Sequence, residues 1–110
     1  MKPLVLISAW LSLFVAGAAL AATIPGQPDP VHGKALAESL CSNCHLVGSS
    51  QEHANADIPS FREIANVPGR TAGDIIGFII LPKHPMPEIP LTKTELADLA
   101  AYIISLRDQP

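Results

Sequence analysis

The sequence predicts an all-α fold, and three observations carry that reading. Two segments open on capping boxes, Thr71-Ala72-Gly73-Asp74 and Thr92-Lys93-Thr94-Glu95, in which a hydroxyl and a carboxylate satisfy the free backbone N–H groups of a helix start. Apolar residues recur at three- and four-residue spacings in the stretches that follow Val31 and Leu96, the signature of one buried helical face. Prolines crowd the connections, four of them among residues 82–90 (Pro82, Pro85, Pro87 and Pro90), which bars regular structure there and leaves a stiff loop.

The first stretch is not read as part of the fold. Met1-Lys2 supplies one positive charge, an uncharged apolar run follows from Pro3 to about Leu20, and the small residues of Ala18 to Ala22 close it. A basic start, an apolar middle and small residues at Ala19 and Ala21 describe a secretory signal peptide, cleaved after Ala21 or Ala22. The competing reading is an uncleaved membrane anchor, since the run is nearly long enough to span a bilayer; the small-residue cleavage site argues against it. The expected location is the periplasm. Of the 110 residues, taking away 1–21 leaves 89, enough for one domain and not for two. Residues 22–30 hold three prolines and a glycine and read as a flexible lead-in, so the folded domain is expected over 31–110. The seven Lys and Arg lose Lys2, which leaves six against ten Asp and Glu. That acidic balance argues against nucleic acid as a partner and for one with a basic surface.

From Val31 the elements follow in order. Val31, Ala35, Leu36, Ser39 and Leu40 fall on one face of a helix that runs to about Ser42 and delivers Cys41 and Cys44 at its end. Residues 46–57 are polar and contain Gly and Ser, a loop. Pro59 to Ala65 predicts a short helix ending near Asn66, before Pro68-Gly69. The segment 72–80 carries Ile75, Ile76, Phe78, Ile79 and Ile80; these also suit a buried strand, but the capping box favours a helix. After Thr92, the stripe of Leu96, Leu99, Ala100, Ile103, Ile104 and Leu106 predicts a long last helix to about Arg107.

Cys41-Ser42-Asn43-Cys44-His45 is the attachment signature of a c-type haem. Two cysteines three apart at a helix end place both sulfurs on one side, able to form thioethers with the two vinyl groups of one haem edge. The adjacent histidine then lies where its imidazole can reach the iron. Export supports the reading, and so does the absence of any other cysteine. A thioredoxin-like redox pair would need a βαβ scaffold. A zinc site would need four ligands, and Cys41, Cys44 and His45 leave one further His to find. A structural disulfide would close a short, strained loop.

With those residues in view, the chain resembles the small class I cytochromes c over nearly all of residues 22–110. Gly33, eight residues before Cys41, matches the glycine of that family's N-terminal helix, where the missing side chain lets the C-terminal helix cross closely. Tyr102 takes the aromatic position of the C-terminal helix, and Met86-Pro87 matches the axial methionine in a loop before it. One departure is Ala37, where the family often has an aromatic; its loss suggests looser packing there. The resemblance implies N- and C-terminal helices crossing around one covalent haem c.

His45 and Met86 are thus the expected iron ligands. Met86 is the methionine left after signal cleavage, and a thioether opposite an imidazole raises the reduction potential. His84, two residues away, is the rival ligand; His32 and His53 read as solvated surface histidines. His45 is expected to donate its other ring N–H to a backbone carbonyl, by resemblance that of Pro59. Arg62 and Arg70 are candidates for the haem propionates, or else solvated charges. Leu40, Phe61, Ile64, Ile79, Leu99 and Ile103 are candidates for the apolar haem wall. The expected role is electron carriage between redox proteins by brief docking, with no enzyme activity. The alternatives are a haem-based sensor whose iron opens to a gas, and a dedicated subunit of one dehydrogenase or oxidase. A peroxidase would need an open distal site, which a Met86-closed haem does not offer.

Overall fold

A computed structural model of the chain describes residues 24–48 and 57–107, with Gly17 besides. The rest of the signal segment with its cleavage site, the middle of the loop with His53, and the tail from Asp108 lie outside the described residues. Four helices follow one another: α1 (Pro30–Leu40), α2 (Phe61–Asn66), α3 (Ala72–Ile80) and α4 (Lys93–Ser105). No strand occurs among the described residues.

Each helix starts where a side chain can satisfy its free N–H groups. The Asp29 carboxylate accepts from the N–H groups of Val31 at 2.9 Å and His32 at 3.3 Å, and Pro30 sits at the first position, where no donor is needed. The helix therefore begins one residue earlier than the apolar pattern predicts, inside the segment read as lead-in: the cap sets the start. At α2 the Ser60 hydroxyl accepts from the Glu63 N–H at 3.1 Å, and the Glu63 carboxylate accepts from the Ser60 N–H at 2.6 Å. This third capping box was not among those read from the sequence. The two that were, Thr71 with Asp74 and Thr92 with Glu95, form as expected. The first of them decides between helix and strand for the isoleucine-rich 72–80.

The core gathers on α4. Leu96, Leu99, Ala100, Tyr102 and Ile103 are buried there, and α1, α2 and α3 each pack against this helix, α1 most extensively. The buried positions of α1 are Gly33 and Ala37. The face expected from Val31 and Leu40 does not turn inward: Val31 is 77% exposed and Leu40 42%. The reason is the closeness of the crossing. A Cβ on Gly33 would stand 2.0 Å from the Asp98 carbonyl oxygen and 2.9 Å from the Tyr102 Cβ, so the face that turns inward is the one with least side chain. Ala37 is fully enclosed at the same crossing. The Tyr102 hydroxyl donates to the Val47 carbonyl at 2.5 Å, which ties α4 to the loop after His45. Among the described residues no helix is long and apolar enough to cross a membrane.

Two outcomes follow for the folded protein. Gly33→Ala forces α1 off α4 and lowers the unfolding free energy by about 3 kcal/mol or more, the upper end of overpacking costs, as read from a denaturant titration. The capping carboxylates Glu63, Asp74 and Glu95 are each held below their ordinary values, first by the backbone N–H of Ser60, Thr71 and Thr92 respectively. A depressed carboxylate stabilises the fold above its ordinary value and stops doing so as pH falls through its folded value. Thermal stability, followed by helical circular dichroism, therefore falls below about pH 4. Glu95→Gln, which still offers an oxygen to the Thr92 N–H but does not titrate, removes part of that slope.

Candidate functional site

The cysteine pair is presented by the end of α1 and a turn hung from a single oxygen. Cys41 caps α1, its N–H donating to the Ala37 carbonyl at 2.9 Å. The Cys41 carbonyl then accepts from the N–H groups of Cys44 at 3.2 Å and His45 at 2.9 Å. The Ser42 hydroxyl donates to the Glu38 carbonyl at 2.6 Å and adds a second tie to the helix. Cys41, Cys44 and His45 are thus brought together by local backbone geometry, as their spacing predicts.

The two thiols sit in different surroundings. Cys41 is half-buried against the core and Cys44 is exposed; both are free thiols. Burial pushes the Cys41 thiol up to about 11, with the neighbouring Cys44 adding to the rise. A reactive redox thiol is made by the opposite environment, one that lowers the value and exposes the thiolate. Among the described residues no group of three or more His, Cys, Asp or Glu side chains converges to hold a metal ion, so the zinc alternative finds no ligand set there.

A short hydrogen bond orients the His45 ring. Its Nδ1 lies 2.7 Å from the Pro59 carbonyl oxygen, and since a carbonyl only accepts, Nδ1 carries the proton. In that tautomer the lone pair is on Nε2, the nitrogen chemistry that a metal-binding imidazole uses. The ring is tilted 45° against Phe61 at 5.3 Å between centroids, and the Phe61 N–H donates to the Leu46 carbonyl at 2.9 Å. The Pro59 carbonyl owes its place to α2, whose capping box begins at the next residue. Met86 comes from the proline-rich loop, half-buried against the same core cluster as Cys41, in a turn closed by its N–H to the Lys83 carbonyl at 3.0 Å.

These residues suit a covalent haem by their chemistry: two thiols, an imidazole with its outer nitrogen fixed, and a thioether. The surface beside them suits it as well. Leu40 and Leu46, on either side of the cysteine pair and His45, are large apolar side chains left 42% and 36% exposed, where an apolar group laid on them removes that area from water. Of the expected wall, Phe61, Ile79, Leu99 and Ile103 are buried and Ile64 is half-buried in or against one cluster.

The other candidates separate. His84 is exposed on the proline-rich loop. Arg62 is exposed on α2. Arg70 donates through Nε to the Ile64 carbonyl at 3.3 Å and lays its guanidinium 4.7 Å over the Phe78 ring. His32 is exposed, as expected of a surface histidine, and in addition its Nδ1 lies 2.7 Å from the carboxylate of the buried Asp98. Two residues were missed altogether. Asp98 breaks the apolar face of α4, and its polarity hid its burial. Arg107 donates to the Ala65 carbonyl at 2.8 Å and the Arg70 carbonyl at 2.5 Å, joining the end of α4 to the end of α2; no local pattern announces a contact between residues so far apart.

Ser60→Ala removes a helix cap beside the carbonyl that holds His45. It lowers the unfolding free energy by about 1 kcal/mol, read as a shifted guanidinium midpoint with unchanged slope.

The chain is 43% identical over 79 residues to Cytochrome c-552 of Bradyrhizobium diazoefficiens, a match spanning 72% of this chain and 76% of that protein. No family model matches the sequence, and no solved structure matches it.

Proposed function

Because this chain belongs to the class I c-type cytochromes, whose all-α fold carries covalently bound haem c, we propose that it is an exported monohaem electron carrier. The haem is joined through Cys41 and Cys44 and its iron is ligated by His45 and Met86. The observation that carries the assignment is the hydrogen bond from His45 Nδ1 to the Pro59 carbonyl. It fixes the tautomer and ring direction that an iron-binding imidazole would need, in the residue directly after the second cysteine.

When bound, haem supplies the one-electron change of its iron; the chain supplies everything that shapes it. Cys41 and Cys44 anchor one edge. His45 offers Nε2 with its ring already locked, so little reorganisation accompanies a change of charge. Met86 offers a soft sulfur, which favours the reduced iron and raises the potential. The prolines at 82, 85, 87 and 90 limit the freedom this loop must lose on ligation. Phe61, Leu99 and Ile103 exclude water from the apolar side. A carrier of this kind meets redox proteins by brief docking, and a chain with an acidic balance suits partners with a basic surface. Residues 1–21 serve as a signal peptide removed near Ala21 or Ala22, and the haem domain spans 31–110.

The test is a visible spectrum of protein exported together with haem-maturation machinery, in both oxidation states, for the natural chain and Met86→Ala. The expected result is covalent haem with the weak red-edge sulfur-to-iron band in the oxidised protein, and loss of that band in Met86→Ala with the haem still attached. A covalent haem without the band in the natural chain assigns the second position to His84 or to an open site, and makes a gas sensor the better reading. Firm co-purification with one dehydrogenase or oxidase makes it a dedicated subunit instead.

A further inference from the structure

We propose that His32, Asp98 and the Asp29 backbone N–H form a proton-operated latch across the α1–α4 crossing, fastened when His32 is protonated and slackened when it is neutral.

The latch is built around one buried carboxylate. Asp98 lies on α4 and is 4% exposed. Its Oδ2 stands 2.7 Å from His32 Nδ1 and its Oδ1 accepts from the Asp29 N–H at 2.7 Å. Both oxygens are therefore engaged by α1 and its cap. Asp29 in turn caps α1 through its own carboxylate, which accepts from the N–H groups of Val31 and His32. Cap, first turn and α4 make one hydrogen-bonded unit. It sits at the close crossing of α1 and α4, where the Asp98 carbonyl leaves no room for a side chain at Gly33.

A buried carboxylate is costly unless a cation or several donors balance it. Here the cation is His32, whose side chain is 48% exposed and so exchanges its proton directly with water. The charged groups acting on His32 are Asp98 and Glu95 from α4 and Asp29 from the cap, all acidic. The hydrogen bond with Asp98 is the strongest influence and raises its value above the ordinary 6.5, with burial opposing. The same hydrogen bond, then that from the Asp29 N–H, holds Asp98 below its ordinary 3.8. The signs follow. A raised histidine contributes fully below 6.5 and loses its contribution as pH rises through its folded value; a depressed carboxylate contributes above 3.8 and loses it as pH falls through its own. The latch is therefore tightest between those two ordinary values. Above them neutral His32 still donates through Nδ1, but the carboxylate has lost its counter-charge, so the crossing slackens without coming apart. None of this depends on which residues ligate the iron.

The test is an NMR titration of the reduced, haem-loaded protein from about pH 5 to about pH 9, the range over which histidine changes charge. The His32 ring is expected to titrate with a midpoint above 6.5, and the Asp29 amide to shift with the same midpoint, since both donors share Asp98. Asp98→Asn returns His32 to the ordinary range. In thermal unfolding, the natural chain loses stability across the His32 transition while His32→Gln stays flat there. A His32 midpoint at or below 6.5, or an Asp29 amide indifferent to it, overturns the proposal; these two readings need no variant, so a poorly folding Asp98→Asn leaves it falsifiable.

Discussion

A carbonyl on α4 and a glycine on α1 approach more closely than any side chain allows, and the rest of the domain is arranged around that contact. Because Gly33 has no Cβ, the backbone of α1 lies directly against Asp98 and Tyr102. The direction of α1 is then fixed, and with it the position of Cys41, which caps the helix eight residues on. A small domain cannot rely on the bulk of its core for this. Its core is one cluster centred on α4, with single residues such as Ala37, Val47 and Phe61 reaching it from elsewhere. Geometry at the crossing does what extra apolar area does in larger proteins.

The remaining parts of the site are linked back to α4 by polar contacts at its edges. Tyr102 holds the Val47 carbonyl just after His45, and Arg107 holds the Ala65 and Arg70 carbonyls at the far end of α2. Between these two ties lies the Pro59 carbonyl that fixes the His45 ring, followed at once by the Ser60–Glu63 box. His45 is thus supported by three short devices rather than one large one. Each carries an obligation that a buried or half-buried polar group must meet, and each is specific to a single acceptor.

Local chemistry made most of this legible in the sequence. The helices of 72–80 and 93–105 were announced by side chains within four residues of each start, and the Cys41–His45 group by spacing alone. The same is true of Gly33 and Tyr102 once the resemblance to class I cytochromes c is noticed. What could not be read was long-range. The inward face of α1 departs from its stripe of large apolar residues because close approach selects Gly33 and Ala37 and leaves Val31 outside. Asp98 and Arg107 were passed over because a charged residue is read as solvated by default, and their acceptors or donors lie across the fold. Ser60-Phe61-Arg62-Glu63 has the capping-box pattern, but it opens only six residues of helix directly after Pro59, where the predicted helix began.

The two sides of the proposed iron site rest on unlike supports, and this bears on how such a carrier works. His45 belongs to a turn fastened to α1 and to α2, where the Cys41 carbonyl and the Pro59 carbonyl hold backbone and ring together. Met86 belongs to a loop whose order comes from proline and from packing of its side chain on the core, with one backbone turn closed at Lys83. Hydrogen bonds are directional, so the histidine side resists displacement in any direction; apolar packing is not, so the methionine side resists leaving the core but less so sliding within it. If one ligand yields under strain, acid or denaturant, it is therefore the sulfur, while the imidazole stays. With the proposed ligation, the potential, which the sulfur would raise, is then the property most exposed to changes in the loop of residues 82–90, and the proposed attachment at Cys41 and Cys44 the one least exposed to them.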